Sequence, residues 1–239
     1  GSYYSHFDDA VRGAPGERYY VDFSLWDTYR AHHPLLAYLE PERQNEMIRT
    51  LLTMYEQGGR LPLHVSYKNY YMAVMIGDHA TSVIVDSYMK GLRDFDVDMA
   101  YTAMRKNAMV PGERHRARYG LESYKSRGYL PADEQRESVS VTLEATYDDW
   151  CLAEMARALG KEDEALDYYE QALEITRKLG RNNEIAAALY NIGKIYYAKE
   201  QHEEALNYYE QVLEIERKFD RPAYIARCLN KMGRIFHDW

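Results

Sequence analysis

The sequence predicts an all-α protein built of stacked antiparallel helical hairpins, and three observations support this fold class. Apolar residues recur at steps of three and four, as in Leu166, Tyr169 and Leu173, which is the spacing of an amphipathic helix. No segment of residues 24–140 alternates like a β-strand for long. The block EALDYYEQALEITRKLGR, which starts at Glu164, recurs 40 residues later as EALNYYEQVLEIERKFDR, which starts at Glu204.

The composition limits the classes of protein to which the chain can belong. Its 239 residues are enough for one large or two small domains, and its hydrophobic and charged content is ordinary for a globular protein. A net charge of −8 argues against nucleic acid as the main partner, and no run of 18 apolar residues predicts a membrane span. The opening Gly1-Ser2 is typical of the remnant of a cleaved expression tag, which predicts a soluble recombinant protein. Cys151 and Cys228 lie in helical patterns and are predicted to be small core residues.

The first part of the chain carries helix signals without a repeat period. Ser24 is the predicted N-cap of a helix that begins with LWDTYRAHH, and Pro34 limits or kinks that helix. Pro41 opens the next helix and Gly58-Gly59 closes it, because proline suits the first turn and glycine suits the residue after the last turn.

Further helical segments continue up to the repeats. The apolar stretch MIGDHATSVIVDSYMKG ends at Gly91, and the helical segment DVDMAYTAMRKNAM follows it. The polar stretch VPGERHRARYG reads as a loop, and its basic residues up to Arg118 are predicted to be solvated. The segment ESVSVTLEATYDDWCLAEMARALG is predicted to be a helix with Ser138 or Ser140 as its cap.

Each repeat consists of a helix, a short turn and a second helix. Small Gly193 and Gly233 allow two helices to approach closely, and large aromatic residues such as Tyr208 and Phe236 fill the gaps between helices. This pattern resembles the tetratricopeptide repeat, whose hairpins stack into a solenoid. We therefore predict two regions, a helical region at residues 1–148 and a tetratricopeptide-repeat region at residues 149–239.

The helical region also resembles a known family. The segments YYVDFSLWDTYRAHHPLL, PERQNEMIRTLLTMYEQGG, MIGDHATSVIVDSYMKGLRDFDVDMAYTAMRKNA and GYLPADEQRESVSVTLEATYDDWCLAEMARALGK are similar to consecutive motifs of glycoside hydrolase family 92, over residues of about 17–161. The resemblance implies a fragment of an (α/α)6 barrel from calcium-dependent exo-acting α-mannosidases. The helix that contains YDDWCLAEMARALGK is then shared with the first repeat hairpin, which predicts a fusion, made by design or, as the alternative, by natural recombination.

The resemblance allows a test for the two carboxylates of an inverting glycosidase. The family's acid is expected to follow Asn69, where this chain has Tyr70, and a phenol is a poor proton donor at neutral pH. Arg60 also replaces an expected aromatic residue, and Asp148-Asp149 reads as the start of a helix. We therefore predict that the chain is not an enzyme.

Some residues of the sugar site remain in the sequence. The resemblance implies that Trp26, Asp27 and Arg30 face a mannose and that Glu137 and Glu144 lie near a calcium ion. The alternative interpretation is local: Trp26 packs, Asp27 pairs with Arg30, and both glutamates are solvated. No cofactor and no metal site are predicted, because no phosphate-binding glycine motif occurs and no nucleophile accompanies the GDH sequence that ends at His79.

The repeat region offers candidate contacts for a protein partner. A tetratricopeptide groove would present polar and aromatic side chains to an acidic peptide or a carboxylate, namely those of Tyr190, Asn191, Lys194, Asn230, Lys231 and Arg234. The alternative is that these residues are simply solvated. Phe236 and Trp239 leave the last helix with an apolar face, which predicts a homodimer through this end.

These observations predict an engineered or chimeric helical scaffold, or protein-interaction module, without catalysis. The partner would be a protein, a peptide or a second copy of the chain. The alternative is a residual calcium-dependent exo-α-mannosidase-type glycoside hydrolase, and a third interpretation is a natural peptide-binding protein.

Overall fold

A computed structural model describes residues 1–14, 18–65, 71–72, 74–112 and 118–238. The described residues are mostly helical, which confirms the predicted all-α fold class. The chain divides into two compact units, Gly1–Met155 and Ala156–Trp239. Both this boundary and the predicted boundary after residue 148 fall within one helix, which runs from Ser138 to Ala158. None of the described helices has the length and apolar character needed to cross a membrane.

The first unit opens with a small β-hairpin that the sequence did not predict. Strands β1 (Ser2–Ser5) and β2 (Ala10–Gly13) pair antiparallel, with Ser2 opposite Gly13. Four residues per strand are too few for an alternating pattern to be recognised in a sequence.

Among the described residues of the first unit, seven helices follow the hairpin, and the seventh extends past the boundary of the unit. Their bounds are α1 Leu25–Thr28, α2 His32–Leu39, α3 Pro41–Gly58, α4 Ala80–Met89, α5 Val97–Met109, α6 Leu121–Arg127 and α7 Ser138–Ala158. Helices α2 to α5 pack on one another around a core of fully buried apolar side chains, including Ile48, Leu51, Met54, Ile84 and Met104. Burying each of these side chains stabilises the unit by about 1.5–3 kcal/mol before conformational entropy is counted.

The helix ends agree with the sequence signals in part. Pro41 does begin α3, and Gly59 does end it with a left-handed backbone at φ 78°. Ser24 is the N-cap residue of α1, as predicted, but its hydroxyl donates to the carboxylate of Asp27 and makes no capping bond to the helix backbone. Ser138 is the first helical residue of α7 rather than its cap.

The described part of the second unit contains four helices of 17 residues each. Each helix packs against the next one along the chain. They are α8 Glu162–Lys178, α9 Asn182–Ala198, α10 His202–Lys218 and α11 Pro222–Asp238. The turn before α8 and the three turns between these helices each hold a residue in the left-handed region, which is glycine at Gly160 and Gly180 but not at Glu200 and Asp220. Side chains other than glycine cost about 1 kcal/mol in that conformation, so glycine is the better residue at these turns.

Tyrosine packing holds neighbouring helices of this unit together. Tyr209 of α10 is fully buried, and its ring lies 5.5 Å from that of Tyr190 on α9. Its backbone carbonyl accepts a hydrogen bond from the Cys228 thiol at 3.2 Å. Cys151 and Cys228 are both free and buried, which confirms that they are core residues and not a disulfide.

Candidate functional site

Glu144 on α7 is the centre of a polar cluster in the first unit. One of its carboxylate oxygens accepts hydrogen bonds from the indole Nε1 of Trp26 at 3.1 Å and from the guanidinium of Arg30 at 3.0 Å. The other oxygen accepts a bond from the Tyr29 hydroxyl at 3.3 Å and lies 3.2 Å from Nε2 of His79. Helix α1 and the residues just after it therefore meet the middle of α7 at one carboxylate.

His79 lies between two carboxylates of α7. Its Nε2 faces Glu144, and its Nδ1 lies 3.2 Å from an oxygen of Asp148. Glu144 and Asp148 are four residues apart, so a helix places them on the same face. The Ser82 hydroxyl lies 3.4 Å from the same Nδ1, and the side chain of His79 is almost completely buried.

The charges of this cluster hold Glu144 ionised. Burial by itself raises the pKa of Glu144, but hydrogen bonds from His79 and Trp26 and the charges of His79 and Arg30 outweigh it, so the pKa is lowered. Burial lowers the pKa of His79, and the opposing carboxylates of Asp148 and Glu144 raise it to about 9. At neutral pH Glu144 is therefore ionised and His79 is protonated.

Aromatic rings surround the charged groups. The ring of Tyr29 stacks on that of His79, and its pKa is raised to about 12 by burial and by the charge of Glu144. The guanidinium of Arg30 lies over the rings of both Trp26 and Tyr29, at 4.9 and 4.4 Å from their centroids. Tyr147 lies 5.6 Å from Tyr29, centroid to centroid, and remains 39% exposed. Aromatic faces with a few fixed polar groups are typical of sites for small ligands.

A second charge cluster supports the first from within the core. The Arg118 guanidinium donates to Asp78 at 3.0 Å and to Asp149 at 2.5 Å, and all three side chains are buried. Asp149 also accepts a bond of 2.7 Å from the Tyr124 hydroxyl. The backbone N–H of Asp78 donates to Asp148 at 2.9 Å, so this cluster fixes the segment that carries His79.

A model of the glycosyl hydrolase family 92 catalytic domain matches residues 1–233 of the chain. The chain belongs to glycosyl hydrolase family 92. It is similar to a family 92 inverting mannosidase of Bacteroides thetaiotaomicron, with 34% identity and a TM-score of 0.67 over 73% of this chain and 23% of that one. A second α-mannosidase of this family from the same organism, solved with mannoimidazole, is 38% identical with a TM-score of 0.66, over 72% of this chain and 22% of that chain.

Two further comparisons define how far the similarity extends. An uncharacterised secreted glycosidase of Arthroderma benhamiae is 35% identical over 148 residues, which are 57% of this chain and 19% of that protein. The chain thus spans about a fifth of the length of its family 92 relatives. The tetratricopeptide-like repeats of a putative kinesin light chain from Podosopora anserina share its fold at 16% identity, with a TM-score of 0.53 over 87% of this chain and 86% of that one.

These matches correct one prediction. The prediction that the chain is not an enzyme is wrong, because both the family model and the solved mannosidases point to a glycoside hydrolase. The acid position at Tyr70, on which that prediction rested, lies outside the described residues. Arg60, which replaces an expected aromatic residue, is buried, and its guanidinium donates to the backbone carbonyls of Lys106 and Pro111 at 2.6 and 2.9 Å.

The structure brings together three of the residues that the family resemblance selected. Trp26 and Arg30 both bind Glu144, so the local alternative of an Asp27–Arg30 pair does not describe them. Asp27 is exposed and bonds to Ser24, and Glu137 is exposed at the start of α7, away from the cluster.

The described residues do not fit a calcium ion at Glu144. Both oxygens of its carboxylate already face donors, two of which are cationic, and a cation needs free oxygen ligands. Across the described ranges, no group of three or more His, Cys, Asp or Glu side chains could hold a metal ion.

Sequence reasoning missed His79, Tyr29 and Asp148. Asp148 and Asp149 were expected to begin a helix, but they lie in the middle of α7 and are buried, where they bind His79 and Arg118. Arg118 was expected to be solvated and is instead buried in the second cluster. Buried aspartates in mid-helix require cationic partners, but the burial of Asp148 and Asp149 is visible only in the structure.

The repeat-groove candidates are separate from this cluster. Tyr190 and Asn191 are largely buried, and Asn191 accepts a hydrogen bond of 3.2 Å from Lys194. Asn230 and Arg234 are exposed on α11, and Lys231 is half-buried there. Phe236 is 63% exposed, and Trp239 lies outside the described residues.

Proposed function

We propose that this chain takes part in the hydrolysis of α-mannosides, as a section of a glycoside hydrolase catalytic domain. The observation that carries the proposal is the Glu144 carboxylate, held by Trp26 and Arg30 beside exposed aromatic surface. Family membership and the similarity to two solved mannosidases support it. The chain spans about a fifth of the length of its relatives. That a whole protein containing this chain hydrolyses α-mannosides is therefore also our proposal.

The role we propose for Glu144 is to hold Trp26 and Arg30 in place, so that these two side chains can contact a sugar ring. A general acid needs a raised pKa, and the pKa of Glu144 is lowered, so it cannot deliver a proton to a leaving group at neutral pH. Four donors already share its two oxygens, so the sugar would contact the indole ring of Trp26 and the remaining N–H groups of the exposed Arg30 guanidinium, which donate to hydroxyls. His79 acts as a positioning residue, because it fixes the carboxylate without reaching the exposed surface.

The experiment is the release of a phenol from an aryl α-mannoside by the purified chain. We expect turnover of the α-mannoside but not of the matching α-glucoside, whose C2 hydroxyl points the other way. Glu144→Gln should lower the rate at least tenfold, because it removes the charge that holds the Arg30 guanidinium in its binding position. Glu122→Gln, an exposed glutamate on α6, is the matched control. No phenol above the buffer rate, or equal rates for wild type and Glu144→Gln, would overturn the proposal.

We also propose a protein-interaction role for the second unit. The exposed side chains of Leu229 and Phe236 on α11 favour it, because large apolar groups that recur on one helix face mark contact surfaces. The protein bound in this role would be either a second copy of the chain, as in the predicted homodimer, or a different partner protein.

A further inference from the structure

A buried histidine links three helices of the first unit. His33, the second residue of α2, is 3% exposed, and its Nδ1 lies 3.0 Å from the amide oxygen of Gln44 on α3. The amide nitrogen of Gln44 donates in turn to the Ser87 hydroxyl of α4 at 3.0 Å. Both of these side chains are completely buried. One chain of hydrogen bonds therefore joins α2 to the two helices on which it packs.

This chain of bonds fits the neutral form of His33. An amide oxygen only accepts, so Nδ1 carries the hydrogen and Nε2 of the neutral ring carries none. Acid would add a proton at Nε2. Among the described residues, the bond to Gln44 is the one hydrogen bond that this ring makes, so the added proton would find no acceptor there. The protonated ring would thus be a buried cation without a new partner.

The place of His33 in α2 also disfavours a positive charge. The N-terminal end of a helix carries a partial positive charge, and His33 lies in the first turn. The buried ring of Phe23 lies nearly parallel to the imidazole, with centroids 6.5 Å apart. Burial has the largest effect on this group, and it lowers the pKa of His33 below its usual value.

Two charged groups near His33 oppose each other. His32 precedes it in α2, with ring centroids 5.6 Å apart, and a proton on His32 lowers the pKa of His33. Asp86 of α4 raises that pKa, but its carboxylate already binds Lys90 at 2.5 Å. Helix α3 presents the neutral amide of Gln44. These charges do not compensate for burial, so the ring is neutral at pH 7.

Helix α2 begins directly after a residue of the candidate site. Arg30 binds Glu144, and the next residue, Ala31, accepts a backbone hydrogen bond of 2.9 Å from Leu35 in the first turn of α2. Trp26, which binds the same carboxylate, lies on α1, a few residues earlier in the chain. The packed start of α2 therefore anchors the end of the segment that carries both side chains.

We propose that His33 is an acid-sensitive switch, whose protonation releases the start of α2 and, with it, the segment of Trp26 and Arg30 from Glu144. The buried cation loses its unfavourable surroundings when the ring moves into water. The unfolded chain takes up this proton near pH 6.5, so the contribution of His33 to stability is complete above about 6.5 and decreases as the pH falls below that value. Acid would then weaken sugar binding, a consequence that rests on the function proposed above, whereas the release itself does not.

Other groups of the candidate site determine how the test is arranged. The pKa of Glu144 is lowered and that of His79 is about 9, so neither changes its charge between pH 5 and 7.5. The pKa of Asp78 is raised to about 7, so this carboxyl does titrate in that range. The switch is therefore isolated by variants that differ only at His33 or beside it.

The test is hydrogen–deuterium exchange of the intact chain at pH 5.0 and 7.5, corrected for the pH dependence of the intrinsic exchange rate. In the wild type we expect protection of residues 25–31 and 32–39 to fall at least about fivefold at pH 5.0. His33→Asn keeps an N–H donor in place of Nδ1 and cannot be protonated, so its protection should not fall. His237→Asn, at an exposed histidine of α11, is the matched control and should behave as wild type.

A second variant tests the charge rather than the packing. Asp86→Asn removes the carboxylate that favours the protonated ring, at a side chain that is 38% exposed, and leaves Lys90 in place. Its loss of protection at pH 5.0 should exceed that of the wild type, because the buried cation is then less compensated. This variant decides the matter if His33→Asn does not fold.

Four results would overturn the proposal. They are equal protection of the wild type at both pH values, an equal loss in His33→Asn, a loss in Asp86→Asn no greater than in the wild type, and a loss confined to residues 32–39. A failure of the proposed function is seen separately, as absence of phenol release from the aryl α-mannoside at pH 7.5, and it leaves the exchange result unchanged.

Discussion

The imidazole of His79 stacks on the phenol ring of Tyr29, with ring centroids 4.0 Å apart and planes inclined by 14°. The stack covers one face of the imidazole, while Glu144 and Asp148 lie at its two nitrogens. The histidine is thus enclosed by groups that favour its protonated form, although it is almost completely buried.

We expect His79 to make stability depend on pH between about 6.5 and 9. Its pKa is raised in the folded state to about 9, so its contribution is fully present below about 6.5 and is lost as the pH rises through about 9. The shift corresponds to roughly 3 kcal/mol at most. Urea unfolding at pH 6 and pH 9.5 measures this contribution, as the difference in the free energy of unfolding between wild type and His79→Gln. His32→Gln, at an exposed histidine, should follow wild type, and parallel pH curves for wild type and His79→Gln would contradict the prediction.

Replacement of Arg118 should strongly destabilise the first unit. Arg118→Leu leaves the carboxylates of Asp78 and Asp149 buried without a cation, which typically costs about 3–5 kcal/mol. Arg127→Leu is the matched control, because the Arg127–Glu134 pair is exposed and such pairs contribute about 0–1 kcal/mol. Chemical denaturation of both variants measures the difference, and similar losses would show that the buried network is not required.

The same substitution should have different effects at the two equivalent glycines. Gly193→Leu must displace the buried Tyr209 and should lower the free energy of unfolding by about 3 kcal/mol or more. Gly233→Leu meets no neighbour and should raise it by up to about 1 kcal/mol, because leucine favours a helix more than glycine does. Thermal unfolding of both variants tests this, and equal effects would contradict the described packing.

Two buried tyrosines should respond differently to loss of their hydroxyl. The hydroxyl of Tyr209 has no hydrogen-bond partner among the described residues, so Tyr209→Phe should be neutral or stabilise by about 1 kcal/mol. The hydroxyl of Tyr124 donates to Asp149, so Tyr124→Phe should cost about 1–3 kcal/mol. Urea denaturation compares the two, and a clear loss of stability in Tyr209→Phe would show that its hydroxyl has a partner.

Local patterns predicted much of the fold. The repeat identified the second unit because a fixed offset of 40 residues aligns small residues with small ones and tyrosines with aromatic residues. Pro41 and Gly59 bound α3 as predicted, since each acts through its own backbone. The β-hairpin at the start of the chain could not be predicted, because its short strands are defined by pairing with each other.

The candidate site was less predictable because it depends on long-range contacts. Trp26 and Arg30 were selected by resemblance, but their partner Glu144 is more than a hundred residues later in the chain. His79 carries no local signal of its role, since the two carboxylates that raise its pKa come from α7. Asp148 and Asp149 were misassigned because a charge near the start of a helix and a charge buried in its middle look alike in sequence.

Two consecutive residues, Asp78 and His79, bind two consecutive residues of α7, Asp148 and Asp149, directly or through Arg118. His79 and the backbone N–H of Asp78 bind Asp148, while the Asp78 carboxylate reaches Asp149 through Arg118. Neighbouring residues of a helix point about 100° apart, so a single deletion before Asp148 would turn both carboxylates away from their partners at once. Over evolutionary time this stretch of α7 can therefore exchange side chains more readily than it can change length.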